Sequence, residues 1–308
     1  MRHFRWQLLI VLITGLVVGL ILVFQRSATP LALESTPSPV TGGSFTEALA
    51  GEIIRLNPAL DRFNQPDRDV DRLIFSSLIK FDSRGLPVGD LAADWEVSSE
   101  GTRYVVNLRE NAVWHDGTPL TSQDVLYTVS LLQSSSSLVP EDLRNFWQQI
   151  QAAALSDLSL EFSLPNSFAP FLDYLTFQVL PSHLLGNLSL DELVDHPFNL
   201  APIGTGPYRF KEFQVADGKI SGVSLEAFEY YYSGRPYIDE VHFKLYPDAK
   251  AALQAYLGDE ADAVAQIAHE DLVTALNQPG LDVHSSRLPR LTMVFLNTQN
   301  LTKPPLQS

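Results

Sequence analysis

The sequence contains no cysteine. That excludes disulfides, thiolate nucleophiles, iron–sulfur clusters, Cys-ligated zinc and lipid attachment through an N-terminal cysteine. Basic residues are scarce: 21 Lys and Arg stand against 36 Asp and Glu, a formal net charge of −15 with a pI near 4.8. No local basic patch offsets this balance, and a chain so acidic repels a phosphate backbone, so no nucleic-acid partner is expected. The spacings of common catalytic and metal motifs are missing as well: there is no Walker A, G-x-S-x-G, H-E-x-x-H or EF-hand pattern. Gly204 and Gly206 fall short of a dinucleotide fingerprint, because Arg209 stands where its third glycine is required and Pro207 would interrupt the helix. A tight structural turn is expected there instead. His115 and His269, each followed by an acid, read as solvated loop histidines. Asp259, Glu260 and Asp262 read as a solvated helix end, and Asp61, Asn64, Asp67 and Asp69 match no calcium loop. Nothing here calls for a cofactor, a metal or catalysis.

What the chain has is bulk and apolar surface. Its 308 residues are 45% hydrophobic, 10% aromatic and 19% charged, enough to bury large cores in roughly two domains. Leu8 to Phe24 is an uncharged apolar run, preceded by Arg2 and Arg5 and followed by Arg26. A basic flank and an apolar segment mark export, and the run sits at the lower limit for crossing the hydrocarbon core. No clean small-x-small cleavage site follows. The expectation is a retained membrane anchor over 1–26, with the body outside the cytoplasm. Residues 27–43, rich in Ser, Thr, Pro and Gly, form a linker.

From Ser44 the body mixes strands and helices. Phe45–Leu49 reads as a short strand leading to a loop that Pro58 ends. Asp69–Leu78 carries Val70, Leu73 and Ile74 at helical spacing. Trp95 and Val97 alternate against Tyr104, Val106 and Leu108 across Ser98–Gly101, a hairpin pattern. Thr121 and Asp124 form a capping box for a helix that the serine run 134–137 closes. Leu158 to Leu164 alternates as a strand, and further strands are expected over Tyr208–Phe213, Val223–Phe228, Ile238–Tyr246, Asp262–Val264 and Leu291–Asn297. Asp248 caps a helix ending at Gly258, and Glu270–Asn277 is another helix. The aromatics Trp95, Tyr104, Trp114 and Tyr230–Tyr232 read mainly as core anchors, with some able to line a groove.

Several segments, in order, resemble the extracellular solute-binding proteins, family 5, the peptide, oligopeptide and nickel-type receptors of ABC importers. They are Leu91–Ser98 with Gly101–Arg109, Trp114–Val125, Ile203–Tyr208, Tyr231–Asp239, Tyr246–Asp248 and Leu257–Asp262. The order and spacing hold from about Gly42 to Asn297.

The resemblance implies an α/β, periplasmic-binding-protein-like two-lobed clamshell of type II with an inserted subdomain, its second lobe truncated. Residues 44–78 plus 200–248 would form the first lobe, 79–199 the subdomain and 249–308 the start of the second lobe. The implied function is a receptor that binds peptides or similar oligomers and delivers them to an ABC transporter permease. Receptors for nickel complexes or oligosaccharides, or a surface sensor or adhesion module, are the alternatives. Cleft-lining loops of relatives match this chain at Asp61, Phe63 and Asn64 and near Gln266 and Ile267, and the strand with Thr292 and Val294 resembles their lobe-crossing segment. The acid and arginine that pair with peptide termini in relatives lie beyond the matched part.

Overall fold

The computed structural model describes Trp6, residues 12–20 and residues 39–284 except Asn187. Two sheets organise them. The first is five-stranded, in the order β11-β1-β10-β9-β8. It comprises β1 (Ser44–Ala50), β8 (Tyr208–Ala216), β9 (Lys219–Ala227), β10 (Glu240–Tyr246) and β11 (Ala263–Val264). β1 runs parallel to both neighbours, while β8, β9 and β10 are antiparallel. Parallel neighbours need long crossovers, and here the connection from β1 to its parallel partner β10 contains the whole second sheet as well as β8 and β9. That sheet has the order β4-β5-β7-β6, built from β4 (Ala92–Val97), β5 (Arg103–Leu108), β6 (Gln151–Ser156) and β7 (Ser159–Ser163). β2 (Ile79–Phe81) and β3 (Pro87–Gly89) form a small ribbon between the two.

Each sheet has its own core. One cluster gathers Val106, Trp114, Leu160, Phe162, Phe171 and Leu175 around the four-stranded sheet. Trp147, at the end of α3 (Glu141–Trp147), meets Phe162, Phe171 and Phe177 at centroid distances of 6.3, 6.2 and 5.5 Å. The other cluster joins Leu49, Val223, Leu225, Val241 and Phe243 of the five-stranded sheet to α1 (Gln65–Ile74). Alternation along β5 and β7, where Tyr104, Val106, Leu108, Leu160 and Phe162 point inward, is what the sequence pattern demands.

The local signals hold with instructive shifts. α1 occupies Gln65–Ile74 rather than 69–78. Pro66 is tolerated in its first turn, where backbone N–H groups have no intrahelical partner. α2 (Ser122–Leu132) carries the expected capping box, Thr121 N–H donating to Asp124 Oδ2 at 2.9 Å. Asp124 Oδ1 also accepts from the N–H and hydroxyl of Ser182, at 2.8 and 2.6 Å. α4 (Ala249–Leu257) is capped by Asp248, whose side chain accepts from Ala251 N–H at 2.8 Å. The aromatic stretch after Phe168 forms a 3-10 helix over Ala169–Thr176. Residues 249–264, assigned from sequence to the second lobe, belong physically to the first sheet: α4 packs on β1, and β11 pairs with Glu47 and Ala48. At the other end, Gly42 N–H already bonds the Tyr237 carbonyl at 2.8 Å.

The expected anchor falls largely outside the described residues. Of it, 12–20 are helical and exposed. Among the described residues no helix is long and apolar enough to cross a membrane. The expected strand over 291–297 lies outside them too.

α1 ends where a glycine turn is pressed onto it. Gly206 N–H donates to the Ile74 carbonyl at 2.7 Å, and a Cβ at either Gly204 or Gly206 would collide with the backbone of Leu73 and Ile74. His115 holds this turn and is a buried residue, not the solvated one expected. Its backbone N–H donates to the Gly204 carbonyl at 2.9 Å. Nδ1 accepts from Gly204 N–H at 3.2 Å, so Nε2 carries the proton it donates to the Gly206 carbonyl at 3.0 Å. Burial pushes the imidazole down to about 4. One turn further back on α1, Asp71 is fully buried and neither carboxylate oxygen has a hydrogen-bond partner. Burial, with Asp61 and Asp67 nearby, drives its carboxyl well above the usual range.

Three outcomes follow from α1 and its glycine turn. Gly204→Ala costs more than about 3 kcal/mol in denaturant unfolding, because the added carbon meets backbone that cannot yield. His115 is neutral when folded and takes up a proton near its ordinary 6.5 when unfolded. Its contribution is therefore complete above pH 6.5 and is lost as pH falls towards 4. The stability difference between wild type and His115→Gln shrinks by roughly 2–3 kcal/mol between pH 7.5 and 4.5. Asp71 has the opposite sign: its raised carboxyl penalises the fold increasingly as pH rises above 4, so Asp71→Asn gains stability over wild type from pH 4 to pH 8 in the same titrations.

Candidate functional site

The loop before α1 is built to hold its shape. Asn57 is buried and donates from Nδ2 to Asn199 Oδ1 at 2.9 Å, while its own Oδ1 accepts from Ala59 N–H at 3.1 Å. Asp67, in the first turn of α1, accepts from the N–H groups of Ile54 and Arg55 at 2.9 and 3.2 Å. Asn64 Nδ2 donates to the Glu52 carbonyl at 2.9 Å. The loop is thus tied at both ends, and its middle, Pro58, Ala59 and Asp61, lines a cleft of about 470 Å³.

α1 contributes Arg68 and Arg72 to the same cleft, four residues apart and hence on one helix face. Lys80 of β2 and Asp90 join them, with Thr128 and Leu131 of α2 and with Gln178. Asp90 is a hub. It accepts from Ser77 N–H at 3.1 Å, Lys80 Nζ at 2.9 Å and Tyr232 Oη at 2.7 Å. Burial works to lower the Lys80 ammonium, but the hydrogen bond and charge of Asp90 prevail and hold it above its ordinary value. Burial also raises the Tyr232 phenol, with Asp90 adding to the shift. For Asp61 burial wins over the pull of Arg68 and Arg72, and its carboxyl is pushed up to about 7.

Of the residues singled out from sequence, only Asp61 lines this cleft. Phe63 is 90% exposed, with the Arg62 guanidinium 5.8 Å from its ring centroid. Asn64 spends its amide on the loop. Gln266 is exposed and Ile267 half-buried, beyond β11 and away from the cleft lining. Thr292 and Val294 lie outside the described residues. The cationic residues Arg68, Arg72 and Lys80 were missed. Their signal was the four-residue spacing of the arginines, hidden by starting the helix at Asp69 and reading only its apolar face. Among the aromatics, Tyr104 and Trp114 are core, and Tyr230 is exposed beside a separate hollow of about 330 Å³.

Comparison with known proteins agrees with this architecture. The family described as "Bacterial extracellular solute-binding proteins, family 5 Middle" matches residues 87–308. The oligopeptide-binding protein AppA of Bacillus subtilis is 31% identical over 242 residues, covering 76% of this chain and 43% of AppA. A probable di/tripeptide-binding protein of Pseudomonas aeruginosa is 27% identical over 304 residues, covering 92% of this chain and 56% of that protein. The structure of AppA in complex with a nonapeptide superposes with a TM-score of 0.68 at 28% identity, over 78% of this chain and 47% of AppA. NikZ from Campylobacter jejuni in complex with Ni(L-His) gives 0.66 at 28% identity, over 77% and 45% of the two chains. The chain spans about half the length of the relatives it matches. With two sheets in this order and a family match over most of its residues, the chain belongs to the bacterial extracellular solute-binding proteins, family 5.

Proposed function

We propose that this chain belongs to an extracytoplasmic receptor that binds peptides or similar oligomers and delivers them to an ABC transporter permease. The observation that carries this reading is the family match over residues 87–308, joined to relatives named for peptide binding across 76% and 92% of the chain. For that reason peptides are preferred over nickel complexes or oligosaccharides, and over a sensor or adhesion role. In this reading the receptor performs no catalysis; it works by closing over its ligand, which biases a two-state hinge towards the form the permease accepts.

The first lobe comprises residues 44–78 and 200–248 together with α4 and β11, since both pack on β1. The subdomain is 79–199, and the second lobe begins after Val264 rather than at 249. The segment 1–26 tethers the body to the membrane. Asp61 faces the ligand from the cleft, with Phe63 and Asn64 at its loop, while Gln266, Ile267, Thr292 and Val294 contribute from the second lobe's approach.

The test is incubation of the whole chain with a mixture of dipeptides to nonapeptides, followed by native mass spectrometry. Bound peptides of unchanged mass are expected. Shortened peptides in the mixture would assign the chain to the enzymes, and an unliganded spectrum throughout would remove the peptide reading.

A further inference from the structure

Three carboxyls gather where the loop before α1 folds back onto the helix. Asp67 and Asp71 stand four residues apart on α1, hence on one face, and Asp61 comes from the middle of the loop. All are buried: Asp67 is 1% exposed, Asp71 0% and Asp61 7%. Asp67 is satisfied by the N–H groups of Ile54 and Arg55. Asp71 has no such partner: neither oxygen accepts a hydrogen bond. The N–H of Asn57 faces it and favours its ionised form, but that N–H is spent on the Arg55 carbonyl at 3.2 Å.

Cations offset this cluster only in part. Arg68 commits Nη1 to the Arg62 carbonyl at 2.7 Å and Nη2 to Gln65, while Arg72 reaches Asp69 at 3.4 Å. Both arginines favour an ionised Asp61, yet burial outweighs them and Asp67 adds to it. Arg55 acts on Asp67, where burial again prevails. Lys80, across the hollow, is held by Asp90 at 2.9 Å. α2 and residues 176–178 bring only uncharged groups to this hollow, Thr128, Leu131 and Gln178 among them.

The cover over these carboxyls is thin. Inside the loop, Leu60 N–H donates to the Asn57 carbonyl and Asn64 N–H to the Asp61 carbonyl, both at 2.9 Å. Ala59 N–H adds its bond to Asn57 Oδ1 at 3.1 Å. Phe63, the loop's largest apolar side chain, faces solvent and contributes no burial.

We propose that the loop 57–64 is a proton-operated wall of the cleft, closed on α1 while Asp61 and Asp71 keep their protons and opening as they ionise. Opening moves the two carboxyls from a buried, mutually repelling set into water, where an aspartate ionises at about 4. Closed, Asp61 keeps its proton up to about 7. Between those values each pH unit therefore favours opening about tenfold, and Asp71, raised by burial and by both neighbours, acts in the same sense. His115, neutral in the folded chain above about 4, takes no part in this local equilibrium. Because Pro58, Ala59 and Asp61 line the cleft, its wall loosens with rising pH whatever the cleft binds.

Hydrogen exchange of the whole chain, read by mass spectrometry between pH 5.5 and 7.5 and corrected for intrinsic amide rates, tests this. Protection over 57–64 is expected to fall at least tenfold across that range and to be unchanged by low urea, the mark of a local opening. Asp61→Asn and Asp71→Asn should each weaken the fall, and the double substitution should abolish it with β5 and β7 at least as protected as in wild type. Constant protection over 57–64 overturns the proposal, and so does a fall that persists in the double variant. An equal fall over 57–64, β5 and β7 that urea accelerates is global unfolding, and overturns it as well.

Discussion

The docking of one glycine turn on the end of one helix holds the two sheets together. Gly204, Thr205 and Gly206 lie against the last carbonyls of α1, so close that any side chain at either glycine would be excluded. Gly206 N–H takes the carbonyl of Ile74, and Ser76 Oγ donates to the carbonyl of Thr205 at 3.3 Å. His115 comes from the segment that follows the β4–β5 hairpin, and it meets this turn with two ring nitrogens and a backbone N–H. A neutral imidazole, donor on one side and acceptor on the other, is the side chain that can satisfy both a carbonyl and an N–H in a buried space. The ring's edge also meets Phe228 at 4.8 Å, so the same contact seals the start of the turn that carries Tyr231 and Tyr232.

From that junction the cleft inherits its walls. α1 ends at Ile74, whose carbonyl is taken by the turn, and the chain leaves through an extended Phe75 and a bend at Leu78 into β2. Arg68 and Arg72 lie on the helix, Lys80 lies on the strand that leaves it, and Asp90 returns from β3 to brace Lys80, Ser77 and Tyr232. Groups from α1, the ribbon and α2 thus meet at one place, although α2 stands some fifty residues further along the chain than α1. A short-range constraint at the helix end sets a long-range geometry at the cleft.

Much of the fold was legible beforehand for a plain reason: periodicity and caps are local. The alternation of Tyr104, Val106 and Leu108 against Leu160 and Phe162, the Thr121–Asp124 box, the Asp248 cap and the absence of a third glycine after Gly206 each depend on a handful of neighbouring residues. α1 starts four residues before the expected Asp69, because its first turn, with Pro66, carries none of the apolar spacing by which the helix is read. His115 was misread because adjacency to Asp116 suggests solvent, whereas its partners stand ninety residues away in the chain. For the cleft, Asp61 was found through resemblance, and the arginines were overlooked because a charged helix face is ordinarily a solvated one.

The residue order alone determined the alternation of strands and helices, the acidic balance, the lack of thiol chemistry and the family. It did so because hydrophobic period, turn chemistry and composition act over a few residues at a time. Only the tertiary structure decided that β11 and α4 belong with β1, that a histidine is buried against a turn, and that Arg68, Arg72 and Lys80 line one hollow with Asp61 and Asp90. Those facts depend on which distant segments share a boundary once water is excluded, and no local pattern carries that information.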